Sequence, residues 1–319
     1  MSEDFVEMML ATTLYCICSA GMLLSNKLAI HDFPLECALV FFQLLFTVLF
    51  LGIFAFPYIR VGSMKDFLRW SLVAPMYCGM LLTSILALKA APMSLVIVLR
   101  NASPLGTLFF ERFYPEPLRI SKMMLLSMVM MLAGAFMYMT AHVQPISWVG
   151  AGWVLLNGAI AVADRLLQRL LLAKDQYPVD ISKTGITFIN NFIGMIVVGI
   201  AMVLKGEVAH VADAVKLLTL QGQVNVALSC VLGMAISYTS IWAQSLITAT
   251  SFLVMTNANK FIIIAVEAWG MHSTMTPVQV CGASMTILGG LFYGKARQEI
   301  EQEGERAALK PAKFTKSLV

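Results

Sequence analysis

The chain has 319 residues, 59% of them hydrophobic and 13% charged, with 22 Lys and Arg against 18 Asp and Glu, and its mean hydropathy is +0.80. That balance excludes a water-soluble globule of this length and places the chain in a bilayer. Apolar stretches of roughly 18 to 25 residues recur from end to end and leave no separate soluble domain.

Ten membrane-spanning helices are predicted, at about residues 8–30, 35–58, 68–89, 93–111, 121–141, 148–171, 184–204, 224–245, 248–270 and 277–295. Ahead of the first, Glu3, Asp4 and Glu7 replace the basic stretch of a cleaved signal and the acid-poor character of a transit peptide, so this span is expected to be retained. Near its outer end stand Ser25, Asn26 and Lys27. Lys27 either adds a cation to an outer vestibule or snorkels to the interface. Gln43 interrupts the second span, and only Ala90, Ala91 and Pro92 separate the third from the fourth.

The fourth span carries Arg100 and Asn101, followed by Pro104. Arginine grips phosphate oxygens in a bidentate fork, and a proline-loosened helix can face a cavity. The competing reading pairs Arg100 with an intramembrane acid such as Glu267 or Asp164. Glu111 with Arg112, and Asp164 with Arg165 in the sixth span, read as inner gate or structural ion pairs. Neither is an enzyme-like acid–base pair with a partner in view.

In the seventh span, Phe188-Ile189-Asn190-Asn191-Phe192 sets two adjacent amides in an apolar helix, beside rings that could stack on a flat base. Adjacent helical residues point about 100° apart, so one Asn can face a cavity while the other bonds a neighbouring helix. From Lys205 to Thr219, apolar Val208, Val211, Ala212, Val215 and Leu218 fall at helical spacing, as in a linker helix along the outer interface.

The ninth span holds the strongest signal, Thr256-Asn257-Ala258-Asn259-Lys260. An unpartnered ammonium there would cost roughly 2.5 to 3.5 kcal/mol. Lys260 is too far from either end to snorkel with ease, so a polar cavity holding an anion accounts for it better than a glue of Asn residues between helices. Lysine is a three-donor point charge suited to phosphate, and Asn257 and Asn259 offer donors and acceptors to a base or sugar. In the tenth span, Gly282, Thr286 and Gly290 fit close helix packing or a homodimer contact. After Lys295 the tail is polar and mixed in charge, a short helix followed by disorder.

With both termini inside, the cytoplasmic side takes Arg60, Lys65, Arg69, Arg112, Arg119, Lys122, Arg165, Arg169, Lys174, Lys183 and the cations from Lys295 onward, against Lys27, Lys89, Lys205 and Lys216 outside. Cys16, Cys18, Cys37, Cys78, Cys230 and Cys281 fall in or at the edges of spans and read as packing residues, with no metal motif among them. His31, His142, His210 and His272 fall near outer ends, where solvation is the simpler reading than proton sensing.

Ten spans divide into five plus five, and an odd number per half makes the second half enter with opposite orientation. The expected fold is therefore an all-α membrane protein with ten transmembrane helices in a five-plus-five inverted repeat. The transporter domain covers 1–297, in halves of about 8–141 and 148–297, and 298–319 is a polar cytoplasmic tail. Asn26 and Lys27 align with Asp164 and Arg165, Gln43 with Asn190 and Asn191, and Arg100 and Asn101 with Asn259 and Lys260.

Asn190-Asn191 after Phe188 resembles the F-Y-N-N motif of GDP-mannose transporters, with Ile189 in place of the tyrosine. Asn257-Ala258-Asn259-Lys260 resembles their G-A-L-N-K motif, keeping the Asn-Lys pair. Ser25-Asn26-Lys27 is similar to the N-K of the first span in the wider nucleotide-sugar transporter and triose-phosphate translocator group, within the drug/metabolite transporter superfamily. The resemblance implies that Asn190 and Asn191 help hold the guanine or nucleoside and that Asn259 and Lys260 contact the sugar-phosphate. With Ile189 a phenol is gone, and the residues before Asn259 differ, which makes a GDP-sugar a firmer inference than GDP-mannose itself.

The expected substrate-binding set is Asn190, Asn191, Asn257, Asn259, Lys260, Arg100, Asn101, Asn26 and Lys27. No catalytic residue, metal or cofactor is expected, and nucleic acid is not a partner; membrane lipid is. The leading expectation is an antiporter, not an enzyme, exchanging a cytosolic GDP-sugar, GDP-mannose foremost, for lumenal GMP by alternating access in the Golgi membrane. An exchanger of UDP-sugars or phosphorylated C3 metabolites is the alternative within the same superfamily. A membrane enzyme lacks clustered carboxylates or an activated nucleophile here, and a seven-helix receptor does not fit ten spans.

Overall fold

Backbone N–H and C=O groups inside hydrocarbon have no water to bond, so a spanning segment must satisfy them within itself as a helix. The computed structural model describes residues 3–73, 75–77, 79–80, 83, 93–115, 119–140, 148–270 and 276–308, and the side chains of 3–4, 23, 27, 93–100, 260–270 and 301–308 are outside that description. The described helices are α1 (Glu3–Asp32), α2 (Glu36–Phe54), α3 (Met64–Ser71), α4 (Met93–Glu111), α5 (Lys122–Thr140), α6 (Trp148–Leu172), α7 (Lys183–Leu204), α8 (Val208–Leu217), α9 (Leu220–Leu246), α10 (Ala249–Gly270) and α11 (Pro277–Ala308). Six are long and apolar enough to cross a membrane: α1 from Phe5, α2, α5, α6, α7 and α9. Among the described residues the molecule is an all-α membrane protein, with one isolated antiparallel bridge between Val61 and Ile181.

Hydroxyl caps fix where several helices begin. Ser63 accepts from the Asp66 N–H at the start of α3, Ser182 from Gly185 at α7, and Thr219 from Gly222 at α9. Between α7 and α8 the chain turns through Gly206 at φ 71°, a left-handed conformation that costs glycine little. The expected outer linker helix is α8. Val211, Ala214 and Leu218 pack against Ala29, Phe33 and their neighbours, while Val208 and Val215 are exposed. α11 continues without a break past the expected end of the tenth span to Ala308, so the start of the polar tail extends that helix.

The closest packing joins α5 to α11. A Cβ on Gly134 would stand 2.6 Å from the Gly282 carbonyl oxygen, and one on Gly282 would stand 2.6 Å from that of Gly134 and 2.7 Å from the Tyr138 nitrogen. Thr286 donates to the Met131 carbonyl at 3.3 Å in the same seam. Gly290 meets Ala258 of α10. Gly282, Thr286 and Gly290 thus make close helix contacts within the chain. α1 packs on α9 and α2 on α7, and α4 lies between α6, α5 and α10.

The bundle has two distinct ends. At one, the Arg60–Ser63 turn meets Asp180–Ser182 through Gly62 N–H to Asp180 O at 2.7 Å and Ser182 N–H to Arg60 O at 2.9 Å. Arg69 donates to Tyr177 O, Arg169 pairs with Asp175 at 2.9 Å, and Lys183 reaches Glu7 at 3.3 Å. Burial pushes the Tyr114 phenol, which donates to Leu166 O here, well above its ordinary pKa. At the other end, Asn225 donates to Asp32 at 2.7 Å, the Ala38 N–H donates to Glu207, and Lys205 pairs with Glu36 at 3.2 Å. Burial works to lower the Lys205 pKa, but Glu36, Cys37 and Glu207 outweigh it and raise it.

Candidate functional site

A cavity of about 200 Å³ opens between α6, α7 and α9, lined by Tyr15, Tyr77, Arg165, Gln168, Thr187, Asn190, Asn191, Ile236, Ser237, Ser240 and Ile241. It is a polar chamber inside an apolar bundle, and each wall follows from local helix geometry.

α7 supplies the amides. Asn191 is buried, donating to the Thr187 carbonyl one turn back at 2.7 Å and accepting from Ser237 of α9 at 3.4 Å. Asn190, about 100° further round the helix, accepts from the indole N–H of fully buried Trp70 at 2.9 Å. The two side chains therefore divide differently from a ligand-facing residue beside a helix-bonding one: both line the cavity and both also bond a neighbouring side chain. Phe188 and Phe192 do not flank them as a base platform. Four residues apart, they stack on each other with centroids 6.1 Å apart and planes 9° apart, neither is among the residues that line the cavity, and Phe192 is exposed. Ile189, where the resembling motif has tyrosine, is packed in a core cluster with Trp70, Val73 and Ile241 and is not among the residues that line the cavity.

α6 supplies the charge. Arg165 donates to Gln244 Oε1 at 3.1 Å and Gln168 Oε1 at 3.4 Å, and its Nε is 3.8 Å from Asp164 Oδ2. Its guanidinium lies 5.1 Å from the Phe252 ring centre, within cation–π reach. Gln168 holds Asp164 Oδ2 at 2.9 Å, and Gln244 is anchored to Ser240. Sequence reasoning gave Arg165 only a gate or structural role. The missed signal was the i, i+3 spacing that sets Gln168 beside it.

The α10 motif approaches this chamber through α1. Thr256 shares a hydrogen bond of 3.3 Å with the hydroxyl of Tyr15, a cavity residue. Asn259 is buried and donates to the Cys16 carbonyl at 3.4 Å, and Asn257 is buried as well. Asn26 stands in a different polar cluster, accepting from Gln43 at 2.8 Å while Gln43 also donates to Ser229 at 3.1 Å. Asn101 is buried within α4. The side chains of Lys27, Arg100, Lys260 and Glu267 lie outside the described residues, as do Cys78, His142 and His272. Glu111 and Arg112 do not pair as gate residues: Glu111 turns inward to the start of α10, and Arg112 turns out over the rings of Phe109 and Phe113.

No protein-family model matches the chain. Its relatives in Arabidopsis thaliana include GDP-fucose transporter 1, 27% identical over 93% of this chain and 89% of that protein. GDP-mannose transporter GONST3 is 24% identical over 88% and 76% of the two chains, and GDP-mannose transporter GONST1 is 23% identical over 88% and 85%. A protein crystal structure matches the fold with a TM-score of 0.67 at 13% identity, covering 90% of this chain and 96% of that one. The chain's curated homologues are nucleotide-sugar transporters of the drug/metabolite superfamily, carriers and not enzymes, similar to it over most of its length.

Proposed function

We propose that this protein is a ten-helix carrier that exchanges a cytosolic GDP-sugar for lumenal GMP by alternating access across the Golgi membrane. The observation that carries the reading is the chamber itself: Asn190, Asn191, Ser237 and Ser240 offer neutral hydrogen-bonding groups, and Arg165 offers a cation, in the interior of an apolar bundle. A nucleotide needs both, since its base is read by amide donors and acceptors and its phosphate by charge. Relatives named for GDP-fucose and GDP-mannose transport support guanine as the base. Asn190 and Asn191 take the nucleoside end in this reading, while Asn257, Asn259 and Lys260 of α10, with Arg100 and Asn101 of α4, take the sugar-phosphate end. Asn26 and Lys27 of α1 serve the outer approach.

Helix pairing supports the inverted repeat. Matching the five spans of each half in order, α2 packs on α7, α4 on α10 and α5 on α11, each helix on its own counterpart. The contact of α1 with α10 is mirrored by that of α6 with α4, and that of α4 with α5 by that of α10 with α11. The contact of α2 with α9 is mirrored by α7 against Trp70 and Val73. Sites in such carriers lie at the repeat interface near the midplane. The bundle end that gathers Arg60, Arg69, Arg169 and Lys183 faces the cytosol in this reading, which puts both termini there. The charges of Arg100 and Lys260 make an empty cavity unfavourable at low dielectric in this reading, which favours obligatory exchange over uniport.

Counterflow in proteoliposomes against GDP-mannose, GDP-fucose and UDP-sugars tests it. Exchange of a GDP-sugar that GMP inhibits and UMP does not is the expected result. Inhibition by UMP or inorganic phosphate with no effect of GMP would remove the guanine assignment and favour the UDP-sugar or phosphorylated-C3 alternative.

A further inference from the structure

Arg165 stands in the last third of a membrane-crossing helix, seven residues before α6 ends at Leu172 and one turn inward of Arg169 at the bundle end. Within an apolar span a cation is costly and marks a ligand path or a buried partner. The adjacent Asp164 is the obvious partner, and its geometry argues against a completed salt bridge. The closest approach is Nε to Oδ2 at 3.8 Å, well beyond the roughly 2.7–2.9 Å of a charge-assisted bond. Asp164 is fully buried, yet its Oδ1 has no hydrogen-bond partner. Its Oδ2 is engaged instead by the amide of Gln168 at 2.9 Å.

The bonds that hold Arg165 come from neutral amides. Gln244 Oε1 and Gln168 Oε1 accept from the same terminal nitrogen, and Gln244 is itself tied to the backbone and hydroxyl of Ser240. The Phe252 ring limits the guanidinium on one side. A fork positioned by amide oxygens is aimed while Asp164, 3.8 Å away, compensates its charge only in part. About a fifth of the side chain is exposed, and among the described residues that line the cavity it is the charged one.

We infer that Arg165 is a phosphate-gripping residue of this carrier: its guanidinium takes the phosphate of a nucleoside mono- or diphosphate whose base lies towards Asn190 and Asn191. The assignment rests on the proposed nucleotide exchange and names the group on α6 that reads the phosphate. Gln168 and Gln244 act through Arg165 as positioning residues. Asp164 is the internal counter-anion that a bound phosphate displaces from the guanidinium.

The test uses the full chain in proteoliposomes, with GMP and guanosine as competitors of GDP-sugar counterflow and GMP-induced thermal stabilisation as a second readout. R165Q is expected to weaken GMP by roughly 10- to 100-fold, the usual scale for one charged hydrogen-bonding group, and guanosine by less than about threefold. R165K is expected to recover part of the loss, because it restores the charge without the fork. R165Q alone leaves Asp164 buried without a cation, so the D164N/R165Q double variant serves as the fold-safe form and should show the same selective loss. GMP binding unchanged in the double variant, or weakened equally with guanosine, would overturn the assignment. If the unaltered chain is competed by UMP and not by GMP, the guanine reading fails while the same comparison with UMP and uridine still decides Arg165.

Discussion

The carboxylate of Glu111, at the end of α4, accepts the backbone N–H of Ala249 at 2.7 Å and so caps the first turn of α10. The same carboxylate accepts from the Thr250 hydroxyl, whose oxygen stands 2.9 Å from that of Thr107, and all three side chains are buried. An anion at a helix N-terminus satisfies free N–H groups and the dipole together. Replacing Glu111 with Gln removes the charge and turns an N–H₂ towards donors, and Ala leaves those donors bare. Both variants should lose roughly 1–3 kcal/mol of stability, with Ala the worse, read as a lower melting temperature in detergent. Melting unchanged in E111A would mean that the cap adds nothing.

The α5–α11 seam makes a contrast between glycines. Gly134→Ala places a methyl 2.6 Å from a carbonyl oxygen and 2.8 Å from Met285 Cβ, and backbone cannot move aside as a flexible side chain can. Overpacking of this kind costs roughly 1–3 kcal/mol. Gly152 of α6 has nothing within 4 Å of the same position, so Gly152→Ala should be neutral or slightly stabilising. Equal yields and melting temperatures for the two variants would show that the seam tolerates expansion.

Asn190 and Asn191 should separate in their phenotypes although they are neighbours. Removing the Asn190 amide strands the indole N–H of buried Trp70, a loss of roughly 1–3 kcal/mol in addition to any loss of exchange. Asn190→Ala in a Trp70→Phe background should therefore cost little stability, leaving its effect on uptake visible alone. Asn191 accepts only a long bond from Ser237 through its carbonyl, and Asn191→Ala is expected to reduce GDP-sugar uptake more than stability. A double-mutant cycle on melting temperature that found no coupling between Trp70 and Asn190 would refute this division.

The positions of the helices were legible because hydropathy over some twenty residues is a direct reading of the hydrocarbon thickness. The amides of α7 and α10 were legible for the same reason, as polar groups that an apolar span must explain. What adjacency in sequence concealed was direction. Glu111 and Arg112 look like a pair on paper, but consecutive helical residues diverge by about 100°, and the two point to α10 and to exposed phenylalanines respectively. Asp164 and Arg165 do stand as a pair at 3.8 Å, but sequence adjacency did not show that the shortest hydrogen bond to the guanidinium comes from Gln244, 79 residues away on α9. Phe188 and Phe192 bracket the two asparagines in sequence, yet they stack on each other and neither is among the residues that line the cavity.

Asp164 gives the sharpest sign to predict. Its carboxylate is fully buried with one oxygen unpartnered, and it competes with any incoming anion for the guanidinium 3.8 Å away. Replacing Asp164 with Asn keeps the shape and an acceptor for Gln168 while removing the charge. In the emptied chamber that leaves Arg165 less well compensated, and in the occupied one the phosphate meets no rival. Asp164→Asn should therefore tighten GMP binding, by roughly threefold to tenfold for a partly screened charge at this distance, and make the GMP-bound form melt higher relative to the empty form than in the unaltered chain. Exchange should slow at saturating GMP, because release from the tighter site becomes limiting. A purely structural ion pair predicts the reverse: a breakdown of packing around Arg165, with weaker GMP binding and a smaller ligand-induced shift. Isothermal binding of GMP to purified Asp164→Asn distinguishes the two by the direction of the change alone.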